Sequence, residues 1–351
     1  MVNKLVKCPK CENKISVDVI PGEKTYVECP KCNTKGIITF PIENKPIKSG
    51  SYSIEVNNLV KIYNGVKAVN NVTFHVKTGE IFGFLGPNGA GKTTTMKSIL
   101  NLIQINEGEI RINGHDIRKE ERTAKKYIGY LPEQVAFYEN LNALQNLLFY
   151  AELKDSTKEE CKSLIEEFGL GESINKKVGK YSKGMVQRLG MARAVLGNPS
   201  ILILDEPSGG LDPRGAVLIR DKIKNLNKKG TTIFISSHIL SEIQAVCNRV
   251  GIINKGNIVA KDSVAELSKK LNLKPKLTIE LEDISEKVIN AVKKINGVDN
   301  VQVINKIMNI ICDPNIKSKI ILTIEKVGGK IINFYTTEPS LEDVFMKYTE
   351  S

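Results

Sequence analysis

The sequence predicts an α/β domain on a buried parallel sheet, with a small cysteine-rich unit before it and a smaller α+β unit after it. Three observations predict this. A strand, a glycine loop and a helix run together in "EIFGFLGPNGAGKTTTMKSILNLI"; a continuous apolar run, "ILILDEP", ends on two acids; and "CPKC" occurs twice near the start. At 351 residues the chain is too long for one ordinary domain.

The four paired cysteines, Cys8, Cys11, Cys29 and Cys32, follow C-x2-C-x17-C-x2-C. In a reducing compartment such units are metal ligands rather than disulfides. Two residues between cysteines let both sulfurs reach one ion, and two such turns close a tetrahedral site. The intervening "KISVDVIPGEKTYVE" reads as two short alternating strands around a Pro-Gly turn. A zinc ribbon over 1–46 is therefore expected, with Zn²⁺ supplying most of its folding energy, about 10 kcal/mol or more. An iron site or a redox dithiol has no supporting chemistry nearby. Cys161, Cys247 and Cys312 stand apart and read as buried filler. "PIENKPIKSGS" reads as a linker.

The main domain follows. "EIFGFL" reads as a strand, and the helix begins near Gly91 with Met96, Ile99, Leu100 and Ile103 inward. Gly86, Gly91, Lys92 and Thr93 fill G-x4-G-K-[ST]. Glycines are needed where backbone N–H groups crowd phosphate oxygens and a Cβ would interfere. The stretch Gly86, Pro87, Asn88, Gly89, Ala90, Gly91, Lys92, Thr93 and Thr94 is thus the candidate phosphate cradle. In it Lys92 reaches the β- and γ-phosphates and Thr93 ligates Mg²⁺. A mere glycine-rich turn would not bring both flanks with it.

"ILIL" has the composition of a central strand buried on both faces. Asp205 stands at its carboxyl end, where open α/β sheets bind ligands, and is expected to hold Mg²⁺. Glu206 is placed to orient or deprotonate the attacking water. Two solvated acids at a strand end is the bland alternative, and the glycine loop upstream weighs against it.

On these residues the 53–268 region resembles the nucleotide-binding domain of the ABC transporter family, a P-loop NTPase fold with a helical subdomain. The resemblance implies ATP as substrate and further roles. Tyr63 matches the aromatic that stacks on adenine. Gln134, in "YLPEQ", matches the glutamine linking γ-phosphate and Mg²⁺ to the membrane partner. "YSKGM" stands at the family signature, before a helix from about Val186 to Leu196; it keeps Ser182 and Gly184 but has Tyr181, Lys183 and Met185 where Leu, Gly and Gln are usual. Asp212, in "GGLDP", matches the acid of the loop that crosses a dimer of such domains, and His238, in "SSH", the switch histidine. Asp212 before Pro213 is also a good helix cap. Gly209 replaces the usual serine of the crossing loop.

From about Pro275 to Ser351 the pattern restarts in β-α-β-β-α-β order with a final helix, which is ferredoxin-like and reads as a regulatory or dimer-contacting domain. "TEPSLEDVFMKYT" resembles the C-terminal end of single-domain exporter ATPases.

The formal charge of +12 suits nucleic acid, anionic lipid or nucleotide and does not choose among them. Apolar runs such as "ILIL" and "VGII" fall short of the ~18 residues that suggest a membrane span, and "MVNKLVKCPKCENK" lacks the apolar region of a signal peptide. The reading that follows is an ABC exporter ATPase of the multidrug and antibiotic-resistance type, cytoplasmic and peripheral on the inner membrane face. Its partners are separate transmembrane permease subunits and a second nucleotide-binding domain, in a homodimer or heterodimer. The alternative is a soluble ABC-type ATPase on nucleic acid or ribosomes, which the ribbon and charge would suit. One ATPase cassette, and no room for a coiled coil between Gln134 and Tyr181, count against it. A zinc enzyme is excluded because four-cysteine sites leave no open position.

Overall fold

A computed structural model describes residues 2–19, 24–39 and 52–349. The chain divides into two compact units, Met1–Ser51 and Tyr52–Ser351. In the first, β1 (Val2–Lys7) pairs antiparallel with β2 (Lys14–Val19), and β3 (Lys24–Glu28) with β4 (Lys35–Thr39). The strands expected between the cysteine pairs exist, but each pairs outward across its own cysteine turn. Those turns are built alike: Glu12 N–H donates to Cys8 O and Asn33 N–H to Cys29 O, with both donor residues at positive φ. The expected Pro-Gly turn and linker lie outside the described residues.

The second unit is layered. An antiparallel sheet holds β5 (Tyr52–Tyr63), β6 (Val66–Lys77), β8 (Glu107–Ile112) and β9 (His115–Asp116) in the order β6-β5-β8-β9. The central sheet runs β10-β11-β12-β7-β13-β14, with β7 (Ile81–Leu85), β10 (Ile128–Leu131), β11 (Ile201–Asp205), β12 (Thr232–Ser236) and β13 (Arg249–Asn254) parallel and β14 (Asn257–Asp262) antiparallel at the edge. Every residue of β7, β11 and β12 is buried, as strands covered on both faces must be.

Between the two sheets, Phe74, Phe82, Phe84 and Phe234 stack at centroid distances of 5.3–6.0 Å. α1 (Lys92–Ile99) adds Met96 and Ile99 to this core. Each such side chain contributes about 1.5–3 kcal/mol by burial. The helix stops at Leu100 because Asn101 turns to φ 51°. Ile103 therefore lies beyond the helix and is only half-buried, a correction to its expected inward place. α2 (Glu121–Lys126) leads into β10.

The other face of the central sheet carries the helices. α3 (Ala143–Leu153) opens on a capping box between Asn142 and Gln145, and α4 (Lys158–Glu167) on Thr157. α5 (Lys183–Val195), α6 (Pro213–Lys228), α7 (Leu240–Val246) and α8 (Val264–Lys270) complete that layer.

The last segment builds a four-stranded antiparallel sheet in the order β16-β17-β15-β18, from β15 (Lys276–Leu281), β16 (Val298–Ile304), β17 (Ile307–Cys312) and β18 (Ile331–Thr337). α9 (Glu286–Lys293) and α10 (Lys317–Lys326) cover one face, with Val288, Val292, Ile320 and Ile324 against Leu277, Ile279 and Ile310. The final helix, α11 (Leu341–Thr349), does not join that core. Leu341 and Val344 are fully buried in the core of the parallel-sheet domain, and Leu341 N–H donates to Gln244 Oε1 on α7 at 2.7 Å.

Candidate active site

The site forms at the carboxyl ends of the parallel strands, as open α/β sheets dictate. After β7 the chain makes a glycine loop into α1. An added Cβ would lie 2.3 Å from Ile253 O at Gly86 and 2.6 Å from Ala68 O at Gly91, where φ is 109°. Neither place admits a side chain. Lys92, at the first turn of α1, is buried and donates to Gly86 O at 2.6 Å and Pro87 O at 3.2 Å. Burial pulls its ammonium below the usual lysine range, while the Glu206, Asp205 and Glu133 carboxylates oppose that shift.

Asp205 ends β11, 3% exposed, and its Oδ1 accepts from Ser236 Oγ at 2.5 Å. Burial raises its carboxyl and the Ser236 hydroxyl counteracts. Glu206 follows at φ 51°, a left-handed conformation that turns its side chain out of the strand direction. Its Oε2 lies 2.8 Å from His238 Nδ1. A carboxylate only accepts, so Nδ1 carries the proton.

These groups line one cleft of about 370 Å³, which brings together Asn88, Gly89, Gly91, Lys92, Thr93, Thr94, Asp205, Glu206 and His238 and adds Ala68 and Glu133. Ala90, in the same loop, is buried and does not line it. The described lining of the cleft offers one lysine ammonium, two threonine hydroxyls and three carboxylates beside the N-terminus of α1, a set suited to a polyphosphate with a hard divalent cation.

Other expected residues lie elsewhere. Tyr63 is on β5, 44% exposed, with Lys61 Nζ 4.6 Å from its ring centroid, and does not line the cleft. Gln134 is exposed and its neighbour Glu133 lines the cleft instead. Ser182 caps α5, its Oγ accepting from Met185 N–H at 3.3 Å. The helix therefore starts at Lys183, three residues before the expected Val186, and Gly184 sits in its first turn against Leu211. Asp212 caps α6 through Gly215 N–H at 2.8 Å, with Pro213 at the first helical position. Neither Ser182, Gly184 nor Asp212 touches the cleft of its own chain.

Three residues that sequence reasoning missed join the site. Glu133 stood inside "YLPEQ" beside the residue chosen. Ser236 stood two places before His238 and carried no signal of its own. Gln187, 5% exposed on α5, gave none either, because a polar residue in a helix reads as solvated.

In the first unit the four cysteine Sγ atoms lie within 4.8 Å of one another, with Cys8–Cys32 at 3.5 Å and Cys11–Cys29 at 3.6 Å. Tetrahedral Zn–S bonds of about 2.3 Å place sulfurs about 3.8 Å apart, so the donor set fits such an ion. The Thr34 hydroxyl and N–H hold the Cys32 thiol down at about 6.

Comparison with known proteins gives these features a lineage. Residues 69–209 match the family model described as ABC transporter, and 263–349 that of ATP-binding protein DrrA1-3-like, C-terminal domain. The bacitracin transport ATP-binding protein BcrA of Bacillus licheniformis is 38% identical over 84% of this chain and 96% of its own length. A solved structure titled as the ATP-binding subunit of an ABC transporter superposes with a TM-score of 0.59 at 30% identity, covering 63% of this chain and 94% of that one. A dimeric ATP-binding cassette in a post-hydrolysis state with ADP and Pi, 24% identical, shares the fold over 60% of this chain and 98% of its own, with a TM-score of 0.56. Among the described residues no helix is long and apolar enough to cross a membrane. The chain belongs to the ABC transporter family, as an ATP-hydrolysing, ATP-binding subunit of the DrrA/BcrA type.

Proposed function

We propose that this chain powers an exporter by closing on MgATP as a pair of subunits and hydrolysing it beside separate permease chains at the inner membrane face. The convergence of Lys92, Thr93, Asp205, Glu206 and His238 on one cleft carries this reading. The amides of the Gly86–Thr94 loop and the Lys92 ammonium bind the β- and γ-phosphates. Thr93 and Asp205, with Gln134 on the family resemblance, would hold Mg²⁺, which would neutralise charge on the transferring phosphate. Glu206 accepts the proton of the attacking water. His238, whose Nδ1 proton is held by Glu206, keeps that carboxylate aimed and presents Nε2 to the γ-phosphate.

Tyr63 is assigned to the adenine on the family resemblance, supported by its exposed ring on β5. Ser182, Gly184 and Asp212 are assigned to the nucleotide of a second subunit. That none of them lines its own cleft supports this, as does the place of Ser182 and Gly184 at the N-terminus of α5, where phosphate binds well.

Two finer assignments complete the proposal. The four-sulfur cluster is a structural zinc ribbon within 1–46, supported by the sulfur spacing. The 275–351 segment is an accessory domain of ferredoxin-like order, supported by its strand order and all-antiparallel pairing.

The test is Glu206→Gln. This variant is expected to bind MgATP and hydrolyse it on the order of a hundred-fold more slowly or worse, accumulating a nucleotide-bound dimer in gel filtration. Turnover within a few-fold of the unaltered chain removes Glu206 from the chemistry.

A further inference from the structure

The general base proposed above depends on an awkward backbone. Glu206 is a non-glycine residue held at φ 51°, a conformation that persists only where its surroundings over-determine it. Its N–H is held from β12, by Ser236 O at 3.2 Å and Ser236 Oγ at 3.3 Å. Its carbonyl is held from two other places. Gly209 N–H donates to Glu206 O at 3.0 Å, and Gln187 Nε2 donates to the same oxygen at 3.2 Å. Gln187 Nε2 also donates to Pro207 O at 3.1 Å. Both acceptors are carbonyls, so the amide orientation is fixed by the chemistry: only the NH₂ end of Gln187 satisfies them. Gln187 is 5% exposed and comes from the second turn of α5, the helix that Ser182 caps.

We infer that Gln187 is a positioning residue for hydrolysis: from α5 it clamps the backbone carbonyls of Glu206 and Pro207, and through them the Glu206 carboxylate is kept over the cleft. The bonds run to these two backbone carbonyls rather than to substrate, so Gln187 acts through the backbone that carries Glu206. The inference rests on the reading of Glu206 as the base. Under the two-subunit reading it also has a consequence. The helix whose first turn reads the partner's nucleotide is, five residues later, bonded to the base of its own chain's site.

A single-turnover assay with enzyme in excess over ATP measures slow rates and tests this. Gln187→Met fills nearly the same volume without a donor; Gln187→Glu keeps the shape and turns a carboxylate toward two carbonyls. Both are expected to bind ATP, followed by a fluorescent analogue, within a few-fold of the unaltered chain. The hydrolysis rate is expected to fall on the order of ten- to a hundred-fold, since small misplacements of a reacting group cost that much, with Gln187→Glu the slower. In a Glu206→Gln background, Gln187→Met is expected to add little further loss, because a residue acting only through Glu206 has nothing left to position. Rates within two-fold of the unaltered chain, losses that multiply in the double variant, or ATP affinity lost in both single variants would each overturn the inference. Failure of the underlying reading shows separately, as near-normal hydrolysis by Glu206→Gln alone.

Discussion

Lys92 shows how one residue carries function at a structural cost. Its ammonium is buried and depressed by desolvation, yet two loop carbonyls and three nearby carboxylates keep it placed. Among the described residues no other lysine or arginine lines the cleft. Lys92→Ala is accordingly expected to lose ATP affinity by at least about ten-fold, as removal of a charge-assisted phosphate contact does, with unfolding by urea little changed. Retained affinity, read by fluorescent-nucleotide titration, would show that the loop amides suffice. Glu206 and Asp205 differ in the opposite sense. One is buried in a strand and bonded to Ser236, suited to a fixed metal; the other is turned out by its left-handed backbone, suited to a water.

At the scale of elements, α5 and α6 each begin on a residue with two demands upon it. Asp212 caps α6 and is also the acid assigned to the partner's site. Serine caps as well as aspartate, so the two demands can be separated. Asp212→Ser is expected to keep stability and lower turnover, whereas Asp212→Ala also loses about 1 kcal/mol of cap energy; equal turnover in Asp212→Ser and the unaltered chain would leave capping as the sole role.

Ser182 poses the same question for α5. If it reads the partner's γ-phosphate, Lys92→Ala damages one half of a site and Ser182→Arg the other half. A mixed dimer then pairs both defects in one site and leaves the second sound. Mixing the two variants, each in a Glu206→Gln background and with subunit exchange confirmed by tags, is expected to trap about one ATP per dimer on this composite reading. Mixtures that trap no more than either variant alone would remove "YSKGM" from the partner's site.

At the scale of the whole molecule, the chain is two compact units with different sources of stability. The larger has two apolar cores around its central sheet and a third beneath α9 and α10. The smaller has two short hairpins whose best-buried side chains, among the described residues, are Cys8 and Cys29; under the proposed zinc-ribbon assignment, metal stands in for a core. Chelation, or Cys29→Ser with Cys32→Ser, is expected to release one zinc per chain and expose 1–46 to protease. ATP hydrolysis by the rest is expected to remain. Activity falling in step with zinc release would show that the ribbon braces the catalytic domain. Within the larger unit, α11 returns to the parallel-sheet core after the chain has built a separate sheet, tying the C-terminal segment to α7, two residues beyond His238.

The sequence by itself determined whatever depends on residues close together along the chain. The glycine loop, the buried strand ending in Asp205, the paired cysteines, the Asp212 cap and the β-α-β-β-α-β order were legible because each is set by local geometry or by a period of 2 or 3.6 residues. The start of α5 was misplaced by three residues because an N-cap serine followed by Lys-Gly-Met has no apolar periodicity to announce it. Only the tertiary structure decided which distant segments meet. It set Ser236 against Asp205 across neighbouring strands, Gln187 against the Glu206 peptide, Glu133 rather than Gln134 at the cleft, and α11 on the first core instead of the last. A hydrogen bond between residues nineteen or thirty-one positions apart leaves no pattern in one sequence. Its partners are chosen by packing, which obliges every buried donor and acceptor to find a mate wherever the fold delivers one.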